Sequence, residues 1–468
     1  MKEWIFPFSS LPLEEIVNRT LDRQVTLAVT GLSRSGKTVF ITSLIHQLLH
    51  SLENSHLPFF EVVNHGRLRG TKIMQQPDMH IPSFRYDRAI EQLCNDPPSW
   101  PQPTTGISEI RLAIRYHSHH PIVKHLSPMN TFYVDIIDYP GEWLLDLPLL
   151  GLTYEQWSEQ ISKECSTEPR WSLSKEWREC LQTLDATSPT QEMTLRKISQ
   201  LYTDFLHRCK ERQYGLSLLQ PGRFTMPGEL KGAPLLEFCP LLDIQSKSYP
   251  DNSLYAEMRR RYESYKEHVV KKFYTDHFKS FDRQIVLTDV LKTFNTGYAS
   301  FVDMRNAINM VLQSFHYGKS GFLNKLFGGL KIDKLLFVAT KADHVTPNQL
   351  PNLERFLQKM LSSSYNNVLF EGVKTETLAL ASIKSTQVAY TTFQGQKISC
   401  IKGVPLEGDK PVALFPGEVP EEILPPEEWV EGRFNFIEFK PPRLTNVHGG
   451  LPHIRIDRAL EFLLGDKF

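Results

Sequence analysis

Gly31-Leu32-Ser33-Arg34-Ser35-Gly36-Lys37-Thr38 follows directly on the apolar run Val25-Thr26-Leu27-Ala28-Val29 and leads into Val39-Phe40-Ile41-Thr42-Ser43-Leu44-Ile45. The eight residues fit G-x-x-x-x-G-K-[ST], in the strand–loop–helix setting that a phosphate-binding loop requires. Backbone N–H groups along Ser33, Arg34, Ser35, Gly36, Lys37, Thr38 and Val39 can wrap a β-phosphate, and the helix that follows turns its positive end toward the anion. Lys37 can bridge the β- and γ-phosphates, and the Thr38 hydroxyl can ligand Mg²⁺. An α/β fold built on a mostly parallel sheet follows from this opening.

The chain has 468 residues, enough for two or three domains. Lysine plus arginine and aspartate plus glutamate balance at 53 each, so no global field favours nucleic acid or an anionic membrane. Six scattered cysteines form no C-x-x-C and no metal spacing, and read as reduced thiols of a cytoplasmic protein. Met1-Lys2-Glu3-Trp4-Ile5-Phe6-Pro7 lacks a long apolar core, so no signal peptide is expected. Without a run of about 18 apolar residues, no transmembrane segment is expected either.

Working outward, residues 11–22 read as a short amphipathic helix before a first strand at Gln24–Thr30. Residues 53–103 read as a long mixed connection with one helix at Tyr86–Cys94, broken by the proline-rich Asp96–Pro103. Ile107–Tyr116 and Thr131–Ile137 read as strands. Helical patterns near 153–164, 172–184, 189–213 and 253–277 predict a mainly helical insertion over 145–281. Its last helix carries a charged face from Arg259 to Lys272, read as solvated. Apolar runs at Gln284–Leu291, Lys334–Thr340 and Glu376–Ala381, with helices near 299–315 and 347–363 between them, predict buried parallel strands. The division that results is 1–144 and 282–385 as two halves of one nucleotide domain, 145–281 as the insertion, and 386–468 as a β-rich segment. That segment closes with a helix at Ile456–Leu464, capped by Asp457 or a neighbour.

Three further motifs fall at strand ends and choose the nucleotide. Asp138-Tyr139-Pro140-Gly141 places a carboxylate that can hold Mg²⁺ through water and a glycine N–H that can meet a γ-phosphate. In Thr340-Lys341-Ala342-Asp343, the Asp343 carboxylate can accept from both guanine N1–H and the exocyclic amine, a donor pair that adenine lacks. The Lys341 stem can lie over the base. Ala381-Ser382-Ile383-Lys384 puts Ser382 and the Ile383 N–H where guanine O6 could be met.

These stations resemble the GTPase superfamily of P-loop proteins, in order across residues 24–385. Pro103-Thr104-Thr105-Gly106-Ile107 looks like the Thr-Thr-Gly-Ile of heterotrimeric G-protein α subunits. That likeness implies Thr104 as a second hydroxyl ligand of Mg²⁺. The whole chain resembles more closely the YcjX family of bacterial stress-associated P-loop GTPases, through its Gly-Leu-Ser-Arg-Ser-Gly-Lys-Thr loop, Asp-Tyr-Pro-Gly-Glu and Thr-Lys-Ala-Asp. The resemblance implies a cytoplasmic, Mg²⁺-dependent GTP/GDP switch, with peripheral attachment at the inner membrane through an unidentified protein partner.

Departures from the pattern raise questions about hydrolysis. Glu142 stands where many GTPases have a glutamine that orients water; it is either a hydrolytic group or a surface residue. Pro101 occupies the position of the stimulatory arginine of α subunits, so Arg34 becomes a candidate substitute, or a salt-bridge partner of a switch residue. Lys37, Glu142 and Arg34 are thus the candidate catalytic groups, and Thr38, Thr104 and Asp138 the candidate metal ligands. Thr340 replaces the commoner asparagine and is expected to loosen its loop. His117, His119, His120 and His125 suggest a metal site but fit a solvated turn at the far sheet end. His344 fits loop packing or nucleotide contact, and Gly318–Leu330 either docks on a membrane or partner or is a mobile loop that packs on the insertion. Two other functions stay open: an ATPase or small-molecule kinase, and a non-hydrolysing scaffold.

Overall fold

The computed structural model describes residues 23–468 apart from 33, 53–55, 119–128, 243, 245–248, 317–331, 371, 394, 431 and 445–448. The helix expected at 11–22, Ser33, the histidines at 119, 120 and 125, and the Gly318–Leu330 segment therefore lie outside the described residues.

Seven strands form the main sheet: β1 (Gln24–Gly31), β2 (Leu68–Met74), β3 (Ser108–His117), β4 (Met129–Asp138), β5 (Arg283–Thr288), β6 (Lys334–Ala339) and β7 (Lys374–Ala379). Their order is β2-β3-β4-β1-β5-β6-β7. The five from β4 to β7 run parallel, and β2 and β3 are antiparallel additions at one edge. Every residue of β1, β5 and β6 is buried, around the apolar runs Leu27–Val29, Ile285–Leu287 and Leu335–Ala339, as expected of strands covered on both faces.

The chain leaves β1 toward β4 and later returns on its other side at β5. β1 is thus the topological switch point, where ligands bind beyond the carboxyl ends of the strands. All loops carrying the motifs emerge at that edge. Because Ser108 pairs with Asp138 in the antiparallel β3–β4 ladder, Thr104 is brought there as well.

One face of the sheet is covered by α1 (Lys37–Leu49) and the C-terminal helix Ile456–Leu464, which share a core with β1, β3 and β4. The other face continues without a break into the helices between β4 and β5. Those helices are α2 (Tyr154–Glu164), α3 (Lys175–Gln182), α4 (Glu192–Lys210) and α5 (Leu254–Tyr265), the last prolonged through a π turn at Lys266–Val270 into Lys271–Asp276. A capping box between Thr153 and Gln156 starts α2. A small antiparallel sheet, β8 (Gln387–Phe393), β9 (Gln396–Gly403) and β10 (Val412–Leu414), opens the C-terminal segment.

Several expectations are corrected. Leu68–Met74 is a strand, not connection; its residues are mostly exposed and Gly70 interrupts the register. β5 ends at Thr288 because Asp289 turns the chain into a helix at Val290–Thr296, accepting from Lys292 N at 3.2 Å. At the final helix the N-cap position falls to Arg455, left-handed and without a side-chain cap; Asp457 sits inside the first turn, where one oxygen accepts from Arg458 N at 3.0 Å and the other from Phe59 N at 3.1 Å. The charged face of α5 is partly consumed inside the fold, since Arg261 reaches Glu192 at 2.6 Å and Glu257 at 2.7 Å.

The chain end is tied to the sheet by charge. Arg283, fully buried in β5, meets Asp466 at 2.6 Å, and Lys334 meets the same carboxylate at 2.6 Å. Against the desolvation that opposes its charge, Arg283 and Lys334 bring the Asp466 carboxyl down to about 2. Its stabilisation is full above the ordinary value of 3.8 and is lost as pH falls toward 2. Asp466→Asn removes the carboxylate shared by Arg283 and Lys334 and leaves Arg283 with Asp333 at 3.3 Å; because Asp466 is also partly exposed, a loss of about 1–2 kcal/mol is expected. Urea unfolding at pH 7 and pH 3 checks this: the gap between wild type and variant should shrink at the lower pH.

Candidate nucleotide site

β1 delivers the chain into a loop whose left-handed residues are Arg34 (φ 65°) and Gly36 (φ 80°). Gly36 heads α1 without a side-chain cap, and the first turn of α1 contains no acidic residue. The leading N–H groups are therefore available to an anion. Lys37 Nζ donates to Tyr139 O at 2.6 Å and lies 2.9 Å from Asp138 Oδ1.

Thr38, Thr104 and Asp138 converge although 100 residues separate the first from the last. The two hydroxyl oxygens are 3.3 Å apart, and Thr104 donates to Asp138 Oδ2. Asp138 Oδ1 is buried and accepts no well-aligned hydrogen bond, although Lys37 is near. An all-oxygen donor set of two hydroxyls and a buried carboxylate fits a hard cation such as Mg²⁺.

Gly141 packs on the phosphate loop so closely that an added Cβ would fall under 3.0 Å from Gly31 O. Residues Gly141–Gly151 form a 3₁₀ helix whose Trp143, Leu144, Leu145, Leu147 and Leu149 are buried in the same core as α2 to α5. Asp146 anchors this turn by accepting from Gly222 N at 2.7 Å and Tyr265 Oη at 2.6 Å; burial pushes its carboxyl up to about 6. Glu142 is not a surface residue. It is buried and ion-paired with Lys210, the last residue of α4, at 2.6 Å. Arg34 forms no salt bridge with a switch residue among the described residues.

At the other end, Thr340 does not loosen its loop: its N–H and hydroxyl both donate to Thr288 O, at 2.9 and 3.3 Å. Lys341 (φ 58°) is clamped between Asp289 at 2.6 Å and Glu438 at 2.7 Å. Burial works against its charge, yet these two carboxylates hold the ammonium above the ordinary lysine range. Asp343 is buried; its Oδ2 accepts from Ser385 N and Oγ, each at 2.7 Å, and His344 Nε2 lies 4.0 Å from its Oδ1. The carboxylate is thus oriented by Ser385. Ser382 is engaged through its carbonyl, which accepts from Ser43. His344 packs edge-on against Phe439, with burial lowering its basicity, and also faces the cavity.

One cavity of about 800 Å³ reaches from the phosphate loop to the Thr340–Asp343 end. Its lining includes Arg34, Gly36, Lys37, Thr38, Val39 and Thr104, then Glu142, and at the far end Thr340, Lys341, Asp343, Ser382 and Ile383. Sequence reading missed Trp100, Lys210, Arg212, Leu406, Glu438 and Phe439, which line it too. Trp100 Nε1 donates to Phe439 O at 2.8 Å, tying the proline-rich stretch to the C-terminal segment. Only Ser385 left a local signal, as a second serine shortly after Ser382.

The sheet order and the convergence of these loops define a GTPase-like P-loop fold. The chain belongs to the YcjX-like family, DUF463, whose profile matches residues 25–468. It is 45% identical to the Ras-like GTPase YcjX of Escherichia coli (strain K12) over 461 residues, covering 97% of this chain and 98% of that protein. It is 40% identical to the Ras-like GTPase YcjX of Shewanella oneidensis, covering 97% of this chain and 96% of that one. No helix among the described residues is long and apolar enough to cross a membrane.

Proposed function

We propose that this protein binds GTP with Mg²⁺ and hydrolyses it to GDP and phosphate, acting as a nucleotide-dependent switch. The observation that carries the reading is the cavity that runs from Lys37 and Thr38 to Asp343, with the Thr38 and Thr104 hydroxyls in its wall and Asp138 hydrogen-bonded to Thr104. Lys37 and the loop amides stabilise the phosphates; Thr38 and Thr104 would hold the metal directly and Asp138 through water. The metal supplies neutralising charge for the β- and γ-oxygens. Gly141 N–H senses the γ-phosphate, and Asp343 selects guanine. Ser33, Ser35, Val39, Thr340, Ser382 and Ile383 complete the proposed nucleotide contacts.

With no arginine at position 101, turnover without a partner is expected to be slow, on the order of 10⁻⁴–10⁻² s⁻¹. Titration of the purified chain with fluorescent GTP and ATP, followed by phosphate release, tests the reading. Binding of GTP should quench Trp100 emission and be lost with EDTA; preferential ATP binding would restore the ATPase or kinase alternative. The pairing of Glu142 with Lys210 favours one other reading, a nucleotide-dependent scaffold, and single-turnover GTP hydrolysis by wild type decides against it.

The helices from 145 to 281 share a core with the turn after Gly141, so they are placed to report nucleotide state to a partner. The family resemblance adds a role in bacterial stress response, in the cytoplasm and beside a membrane protein. Crosslinking in cells, compared with the Lys37→Ala variant, tests for that nucleotide-dependent partner.

A further inference from the structure

The cations that line the cavity raise the question of which one meets charge building on the γ-phosphate. Arg34, Lys37, Lys210, Arg212 and Lys341 contribute to its wall. Lys341 is spoken for by Asp289 and Glu438. Arg212 is tied to the C-terminal segment, 2.8 Å from Glu407 and 3.4 Å from Glu438. Arg34 also faces an adjoining cavity of about 620 Å³ beside Asp289 and Lys292. Lys37 lies against Asp138 and Tyr139 O, where it serves the β- and γ-phosphates together. Lys210 is the one that contacts the turn after Gly141, and it does so at Glu142 itself.

We propose that Lys210, delivered from α4, is the cation supplied in cis to the transferring γ-phosphate. This rests on the GTPase reading above. A buried carboxylate one residue beyond Gly141 would repel an incoming triphosphate; Lys210 cancels that charge while the site waits. The backbone of Lys210 is firmly placed, because Cys209 is buried in the helical core and its carbonyl accepts from Leu216 N at 3.0 Å. Its side chain alone needs to move.

When the γ-phosphate arrives, the ammonium transfers from Glu142 to the phosphate oxygens, and Glu142 becomes free to accept a hydrogen bond from the attacking water. A bond forms between the water oxygen and Pγ, and the bond from Pγ to the bridging oxygen breaks with its electron pair going to GDP. The water proton ends on the phosphate product, and Lys210 keeps its proton throughout.

The test uses the full chain with fluorescent GDP, with and without aluminium fluoride, a mimic of the transferring phosphoryl group. For Lys210→Met, GDP affinity should stay within about threefold of wild type, while the tightening that fluoride causes falls at least about 30-fold and kcat falls about 100-fold. Lys210→Arg should keep most of both. Removing Lys210 also strands a buried carboxylate, so thermal stability should drop. The double variant Glu142→Gln/Lys210→Met should recover stability without recovering the fluoride effect. A merely structural ion pair would behave otherwise: fluoride tightening retained in Lys210→Met, or restored in the double variant, overturns the proposal. GTP turnover by wild type with unaltered turnover in Lys210→Met overturns it alone. A wild-type chain that binds no guanine nucleotide overturns the GTPase reading with it.

Discussion

Asp343→Asn is expected to weaken GTP binding about 100- to 10,000-fold and to turn the preference toward xanthosine triphosphate. Two hydrogen bonds to a charged acceptor are lost at once, and such bonds contribute about 1.5–3 kcal/mol each. An asparagine offers an N–H where guanine also presents N–H, so the mismatch is repulsive as well as unpaired; xanthine presents a carbonyl there instead. Disturbance of the loop should be small, because asparagine keeps one oxygen to accept from Ser385. Calorimetric titration with GTP, xanthosine triphosphate and ATP reads the result. GTP affinity within threefold of wild type would remove Asp343 from the base site.

Gly141→Ala should lower single-turnover hydrolysis at least about 100-fold while leaving GDP affinity nearly intact. The added methyl group would fall under 3.0 Å from Gly31 O, backbone against backbone. Gly31 cannot retreat, since it is the last residue of the central strand β1 and is registered with Leu287 of β5. The turn after Asp138 must therefore give way, and a displacement of about 1 Å at a reacting site costs on that order in rate. GDP has no γ-phosphate and is indifferent to the shift. Overpacking should also remove about 1–3 kcal/mol of stability, visible as a lower Tm. Wild-type hydrolysis in this variant would show that the turn is free to adapt, and with it that the close approach to Gly31 has no mechanistic weight.

Legibility followed locality. The helix at Tyr86–Cys94 is found at the residues its pattern indicates, and α1 is buried on most sides as its near-continuous apolar run requires. The central strands declare themselves because parallel strands covered on both faces need uninterrupted apolar residues. β2 gave no such sign: Leu68-Arg69-Gly70-Thr71-Lys72-Ile73-Met74 is an edge strand with most residues exposed, so nothing forces an alternating pattern on it. The last helix shows a different limit. An aspartate near a helix start is the usual acceptor for its free N–H groups, and Asp457 does accept from Arg458 N, but its other oxygen is taken by Phe59, almost 400 residues away in the chain.

What the amino-acid order determined by itself was the set of loops that present backbone to a phosphate, and the carboxylates Asp138 and Asp343 that follow buried strands. Each is a short contiguous stretch whose chemistry depends on its own backbone and immediate neighbours. Tertiary structure alone decided which distant groups act on them: Ser385 on Asp343, Glu438 and Asp289 on Lys341, and Lys210 on Glu142. Those pairings depend on where α4 and the C-terminal segment come to rest. That resting place follows from burial of their apolar faces, which carries direction but no address in the sequence.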